Sequence, residues 1–220
     1  FSPEGRWQAV VLGRETLDKP MGLALAPNGM IAVADGGHGR IVFTDQGGKS
    51  VSATPAGELP GIVDLAPLPD GRFLAVLAPI GKGKIVVVQQ GLPPRPWGDG
   101  TMIGYPAGIA VRGTDVYVTD HSAPSPGHGN HDMEPMLNRF DLEGRLRNTV
   151  ATGDCAAASV EGPEGVAAAP DGRILVADTL LRRVLRLGPT AGRVEGLSGM
   201  LAAGSGRLDR PAAVAAGPGG

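Results

Sequence analysis

The densest group of chemically capable side chains lies in one stretch, His121-Ser-Ala-Pro-Ser-Pro-Gly-His128-Gly-Asn-His131-Asp132-Met-Glu134-Pro-Met136, which holds three of the chain's four histidines. Imidazole nitrogens beside carboxylates suit zinc or a similar divalent ion. The stretch is also rich in Gly, Pro and Ser, and its spacing matches no closed metal site. It therefore reads either as ligand or metal contacts or as a long polar loop. His121 is its foremost member, because it abuts the end of a strand and rigid elements hold a site better than loops. Nucleophilic catalysis has no comparable signal. Ser122 and Ser125 near His128 lack the strained strand-to-helix turn of a nucleophile, and Cys155 has no neighbouring His or basic residue to lower its pKa.

These residues must be positioned by a chain of 220 residues, 42% of them hydrophobic, with 36 Gly and 20 Pro. So much Gly and Pro without a period would indicate disorder; here they recur in register. Pro20-Met-Gly-Leu-Ala-Leu-Ala-Pro27-Asn-Gly29, Pro163-Glu-Gly-Val-Ala-Ala-Ala-Pro170-Asp-Gly172 and Pro211-Ala-Ala-Val-Ala-Ala-Gly-Pro218-Gly-Gly220 align without gaps. Looser copies begin at Pro60, with Asp70-Gly71 downstream, and at Pro106. Within a unit, Gly22–Ala26 reads as an apolar strand closed by Asn28-Gly29, a step that favours tight hairpins. Met30–Ala34 and Arg40–Phe43 follow as strands, and Asp45-Gln-Gly-Gly48 turns into a fourth near Val51. Phe73–Leu77, Val116–Thr119 and Ile174–Ala177 are the other second strands. Four short antiparallel strands in about 45 residues, repeated, make a β-propeller.

The run Pro-x-Gly-hydrophobic-Ala, then Asp-Gly, then Val-Ala-Asp, then a basic residue opening a strand, resembles the NHL repeat, best in Pro20–Gly48 and Pro163–Leu187. The resemblance implies an all-β propeller of four-stranded blades, and more distantly it is similar to the propellers of amidating lyases, streptogramin lyases and gluconolactonase-like enzymes. Residues 20–57, 60–100, 105–153 and 162–201 are expected as four complete blades. Phe1-Ser-Pro-Glu-Gly5 repeats the spacing of Phe43–Gly47 and Phe140–Gly144, so 1–17, with Trp7–Leu12 as strand, is expected as the outer strand of a preceding blade. Residues 210–220 are expected as the first strand of a following one. The whole is then a fragment of a six-bladed ring, the usual number in this family.

Strand direction brings the Pro-x-Gly segments and the loops after the second strands to one rim, the channel mouth. The x positions read Met21, Ala107, Glu164 and Ala212, with no clear equivalent in the second copy. The family's lyases and lactonases place metal-binding His or Asp there, and Glu161-Gly-Pro163 is similar to a metal-carboxylate motif of gluconolactonase-like propellers. Glu164, Glu161 and His121 are accordingly the metal candidates, for Ca, Mg or Zn. Hard cations take six or more oxygens, which one loop does not supply. His38, in Gly36-Gly-His-Gly-Arg40, stands at the family's Asn-His signature, structural in most relatives. Asp35, Asp120 and Asp178 read as acceptors of turn hydrogen bonds, Arg40, Lys84 and Arg183 as reaching neighbouring blades or solvent, and Trp97 as a staple for its Pro-rich loop.

Two functions follow: a scaffold binding a protein or small-molecule ligand at the channel mouth, or a divalent-metal-dependent lactone hydrolase or lyase working there. A net charge of −2 and 4% aromatics give no basic face with stacking platforms, so nucleic acid is not expected as a partner. No apolar run spans a bilayer. The chain starts at Phe1 with no signal peptide, and export to the periplasm or outside is the favoured setting.

Overall fold

The computed structural model describes residues 6–7, 10–49, 52–80, 82–100, 103–124, 133–150, 160–188, 194–198 and 208–217. Every regular element among them is a β-strand. The first sheet runs β1 (Pro20–Leu25), β2 (Ile31–Asp35), β3 (Arg40–Thr44) and β4 (Ser52–Ala53) in chain order. The second holds β5 (Ile62–Pro67), β6 (Phe73–Leu77), β7 (Lys84–Val88) and β8 (Arg95–Pro96). The third is β9 (Pro106–Arg112), β10 (Asp115–Pro124), β11 (Met133–Asp141) and β12 (Leu146–Val150), and the fourth β13 (Pro163–Ala168), β14 (Ile174–Asp178), β15 (Arg183–Leu187) and β16 (Val194–Ser198). All neighbours pair antiparallel. Four such sheets, each packed on the next, are the blades of a β-propeller.

The hydrophobic core is divided among the gaps between blades. Ala24, Ala32 and Ala34 of the first blade meet Ile62, Leu65 and Phe73 of the second, and the Phe43 and Phe73 rings meet at a tilt of 48° with centroids 5.9 Å apart. Val76 and Ile85 meet Ile109 and Val118 across the next gap, and Tyr117 and Leu137 meet Val166 and Val176 across the third. Strands buried on both faces must be apolar at consecutive positions, which is why Phe73–Leu77 shows no alternation. Trp97 closes the second gap from outside. Its indole N–H donates to the Leu142 carbonyl at 2.8 Å and its ring meets Phe140 edge-on.

Three blades carry the same clamp at the end of the second strand. Asp35, Asp120 and Asp178 are fully buried. Asp120 accepts hydrogen bonds from the backbone N–H of Gly104, Tyr105 and Ser122 at 2.7–2.9 Å. Asp178 does so from Gly162 and Leu181, and Asp35 from Asp18 N, His38 Nδ1 and Arg40 Nε. Arg183, expected to reach solvent or a neighbouring blade, is instead buried against Asp178 of its own blade, Nε to Oδ2 at 3.5 Å. Lys84 stays exposed, since Leu77 replaces the aspartate in its blade.

The structure departs from the sequence reading at three further places. The second blade begins two residues later than its proline suggests: Ile62 pairs with Leu77 as Pro20 pairs with Asp35 and Pro163 with Asp178. The His-rich insertion is not loop throughout. β10 continues through His121 to Pro124 and β11 starts at Met133, with Ala123 opposite Glu134, so the hairpin lengthens and its ends are held by ladder bonds. Finally, Trp7, Val10–Leu12 and 208–217 carry no ladder pairing. The last of these still lies along β13, Ala212 O accepting from Gly165 N at 3.1 Å.

Candidate functional site

The inner strands β1, β5, β9 and β13 carry a register shift within or beside their Pro-x-Gly segment. Such bulges re-aim side chains at barrel and propeller rims. Aligned by their pairing, the x positions are Met21, Val63, Ala107 and Glu164, with Ala212 on the segment beyond. All five line one cavity of about 910 Å³. The second copy's equivalent, unclear from sequence, is Val63.

The residue after x explains why glycine recurs. A Cβ on Gly22 would lie 2.7 Å from Asp64 Cα, one on Gly108 2.5 Å from Glu164 O, and one on Gly165 2.8 Å from Ala213 Cα. Gly22 and Gly108 let the next blade's inner strand approach, and Gly165 does the same for the segment at 212–214. In the second blade this position is Asp64, which sequence alignment on Pro60 conceals. Its Oδ2 accepts from Ile109 N of the third blade at 2.9 Å and its Oδ1 from Leu65 N at 2.8 Å. Burial pushes the Asp64 carboxyl up to about 6, against the opposing effect of those two donors.

His121 and Glu164 come from different blades and meet at the cavity, Nε2 to Oε1 at 3.3 Å. Each is positioned from behind. The Asp120 clamp fixes Tyr105 and Ser122, and His121 N donates to Tyr105 O at 3.0 Å; the Thr119 hydroxyl donates to the Glu164 carbonyl across the gap. The hydrogen bond that His121 donates to Glu164 raises the His121 pKa, outweighing burial, and the same bond lowers the pKa of Glu164. The Tyr105 ring stands edge-on to the imidazole at 6.5 Å. Leu23, Val63 and Val214 supply apolar wall. The arrangement can hold an apolar body, exchange a proton at His121, and pair charge at Glu164 or Asp64.

The remaining candidates lie elsewhere. His38 is bonded to Asp35 on the first blade and does not line the cavity. Glu161 is exposed, its backbone N–H bonded to Asp178. Glu134 lies in β11 opposite Ala123; His128, His131 and Asp132 fall outside the described residues. Among the described residues no group of three His, Cys, Asp or Glu could hold a metal ion, so His121 and Glu164 supply two potential ligands at most.

No family model and no curated protein matches the chain. Solved structures do. A chain of a nidogen/laminin complex matches with a TM-score of 0.68 and 19% identity, over 89% of this chain and 68% of that one. A catalytically inactive histidine-to-alanine variant of virginiamycin B lyase from Staphylococcus aureus, with quinupristin, matches with a TM-score of 0.63 and 14% identity, over 90% and 60%. A streptogramin B lyase matches at 0.53 and 15%, over 80% and 67%. The likeness is one of fold. This chain spans about two thirds or less of the solved chains it matches.

Proposed function

We propose that the chain is an NHL-type propeller, four blades of a six-bladed ring, that acts as a binding scaffold and takes a small molecule or a protein segment at the channel mouth. The observation that carries this reading is the convergence of the x positions with His121 and Asp64 on one cavity. A volume of about 910 Å³ lies within the range of ligand sites, and apolar walls with a few convergent polar groups are their usual make-up. Perturbed titration at His121, Glu164 and Asp64 points to the same place. Among the fold neighbours, one is a chain of a nidogen/laminin complex and two are lyases, so the scaffold serves both kinds of work.

The second reading, a divalent-metal-dependent lactone hydrolase or lyase, draws on the His121–Glu164 pair alone. A cation would have to break that ion pair and gather further ligands beyond the described residues. The two readings are separated by elemental analysis and calorimetric titration of the protein with Ca, Mg and Zn salts. The scaffold reading expects no stoichiometric metal, and the same weak response in His121→Ala and Glu164→Ala as in the wild type. A stoichiometric ion lost in both variants would replace it with the metal-dependent one.

A further inference from the structure

The cavity holds two carboxylates in different circumstances. Glu164 is matched by His121. Asp64 is matched only by two backbone N–H groups, and no basic side chain among the described residues pairs with it. It stands at the position where the other three blades have glycine, so its carboxylate is an addition to the channel wall. The cavity around it is also lined by Leu23 and Val63, and the half-exposed Tyr105 ring borders it. A desolvated carboxylate beside apolar surface gains most from a ligand that brings its own positive charge, and an aromatic ring adds cation–π attraction.

We propose that the channel mouth binds organic cations of the arylalkylamine kind, with Asp64 as the counter-ion to the ammonium group and the apolar wall taking the hydrocarbon body. The inference rests on the channel-mouth reading above and names its ligand class. A purely structural Asp64, serving only as the acceptor for Ile109 N, is the competing account. The carboxyl's raised pKa accords with both, so the test must read ligand charge.

Phenethylammonium, neutral phenethyl alcohol and anionic phenylacetate are titrated into the protein, followed by chemical shifts of the His121 and Tyr105 rings. They are also titrated into Asp64→Asn, which keeps an acceptor oxygen for Ile109 N, and into Asp64→Gly, the residue of the other blades. The expected result is a preference of about tenfold or more for the ammonium over the alcohol, lost in both variants whose melting curves remain cooperative. Equal binding of ammonium and alcohol, a preference that survives both substitutions, or a preference for phenylacetate overturns the inference and leaves the channel-mouth reading standing. If none of the three shifts either ring, both fail.

Discussion

Asp64 shows how one side chain changes a repeated position. Its folded carboxyl titrates near 6 rather than at the ordinary 3.8, because burial outweighs the donors from Ile109 and Leu65. A raised folded pKa in an acid means that the native state holds the proton more tightly than the unfolded chain. The contribution is therefore favourable at low pH and is lost as pH rises from about 4 through about 6. Asp64→Asn removes that titration while keeping an acceptor. The variant is expected to gain roughly 2 kcal/mol relative to wild type between pH 4.5 and pH 7.5, read by urea denaturation at the two pH values. A wild-type minus variant difference independent of pH contradicts the assignment. Alignment on Pro60 hides this residue. The available signal was Leu77, which stands where the neighbouring blades place their clamping aspartate.

At the scale of the strand and turn, the buried aspartates carry the loops that precede the inner strands. Asp120→Ala strips partners from the N–H groups of Gly104, Tyr105 and Ser122 at once. Its expected cost is on the order of 3 kcal/mol in equilibrium unfolding, with loss of the Tyr105–His121 ring contact in aromatic NOE spectra. Gly165→Ala places a Cβ against Ala213 Cα and Ala212 O and is expected to cost about 1–3 kcal/mol as the segment beyond β13 is pushed away; a neutral substitution there would mean that the two are not packed. These elements were legible from sequence where turn chemistry punctuates apolar runs, as in Asn28-Gly29 and Asp171-Gly172. The end of β10 was not, because Ser122 and Pro124 carry loop composition, while the ladder to β11 continues to Pro124 opposite Met133.

At the scale of the whole 220-residue polypeptide, the first blade's inner strand presents apolar side chains. Leu23 and Leu25 are 69% and 54% exposed, whereas the residues equivalent to Leu23, namely Leu65, Ile109 and Val166, are 3–7% exposed beneath the preceding blade. A contiguous apolar strand face of this kind drives association. The 220-residue polypeptide is expected to sediment as concentration-dependent oligomers, and Leu23→Glu with Leu25→Lys to shift it toward monomer; unchanged sedimentation would count against an uncovered face. The ring architecture was readable because the prolines repeat, yet the cavity's composition was only half readable. Met21, Ala107, Glu164 and Ala212 follow from the repeat. Their meeting with His121 depends on which blade stands beside which.

Residues 43 positions apart in the chain thus face one another across a blade gap. A histidine whose folded pKa is raised by a carboxylate contributes stability below its unfolded value, lost as pH rises through the folded one. The direct measurement is the NMR titration of the His121 ring in wild type and in Glu164→Gln. The propeller register predicts a wild-type pKa above the ordinary value of about 6.5 that falls in the variant. A His121 titration that Glu164→Gln leaves unmoved would contradict it.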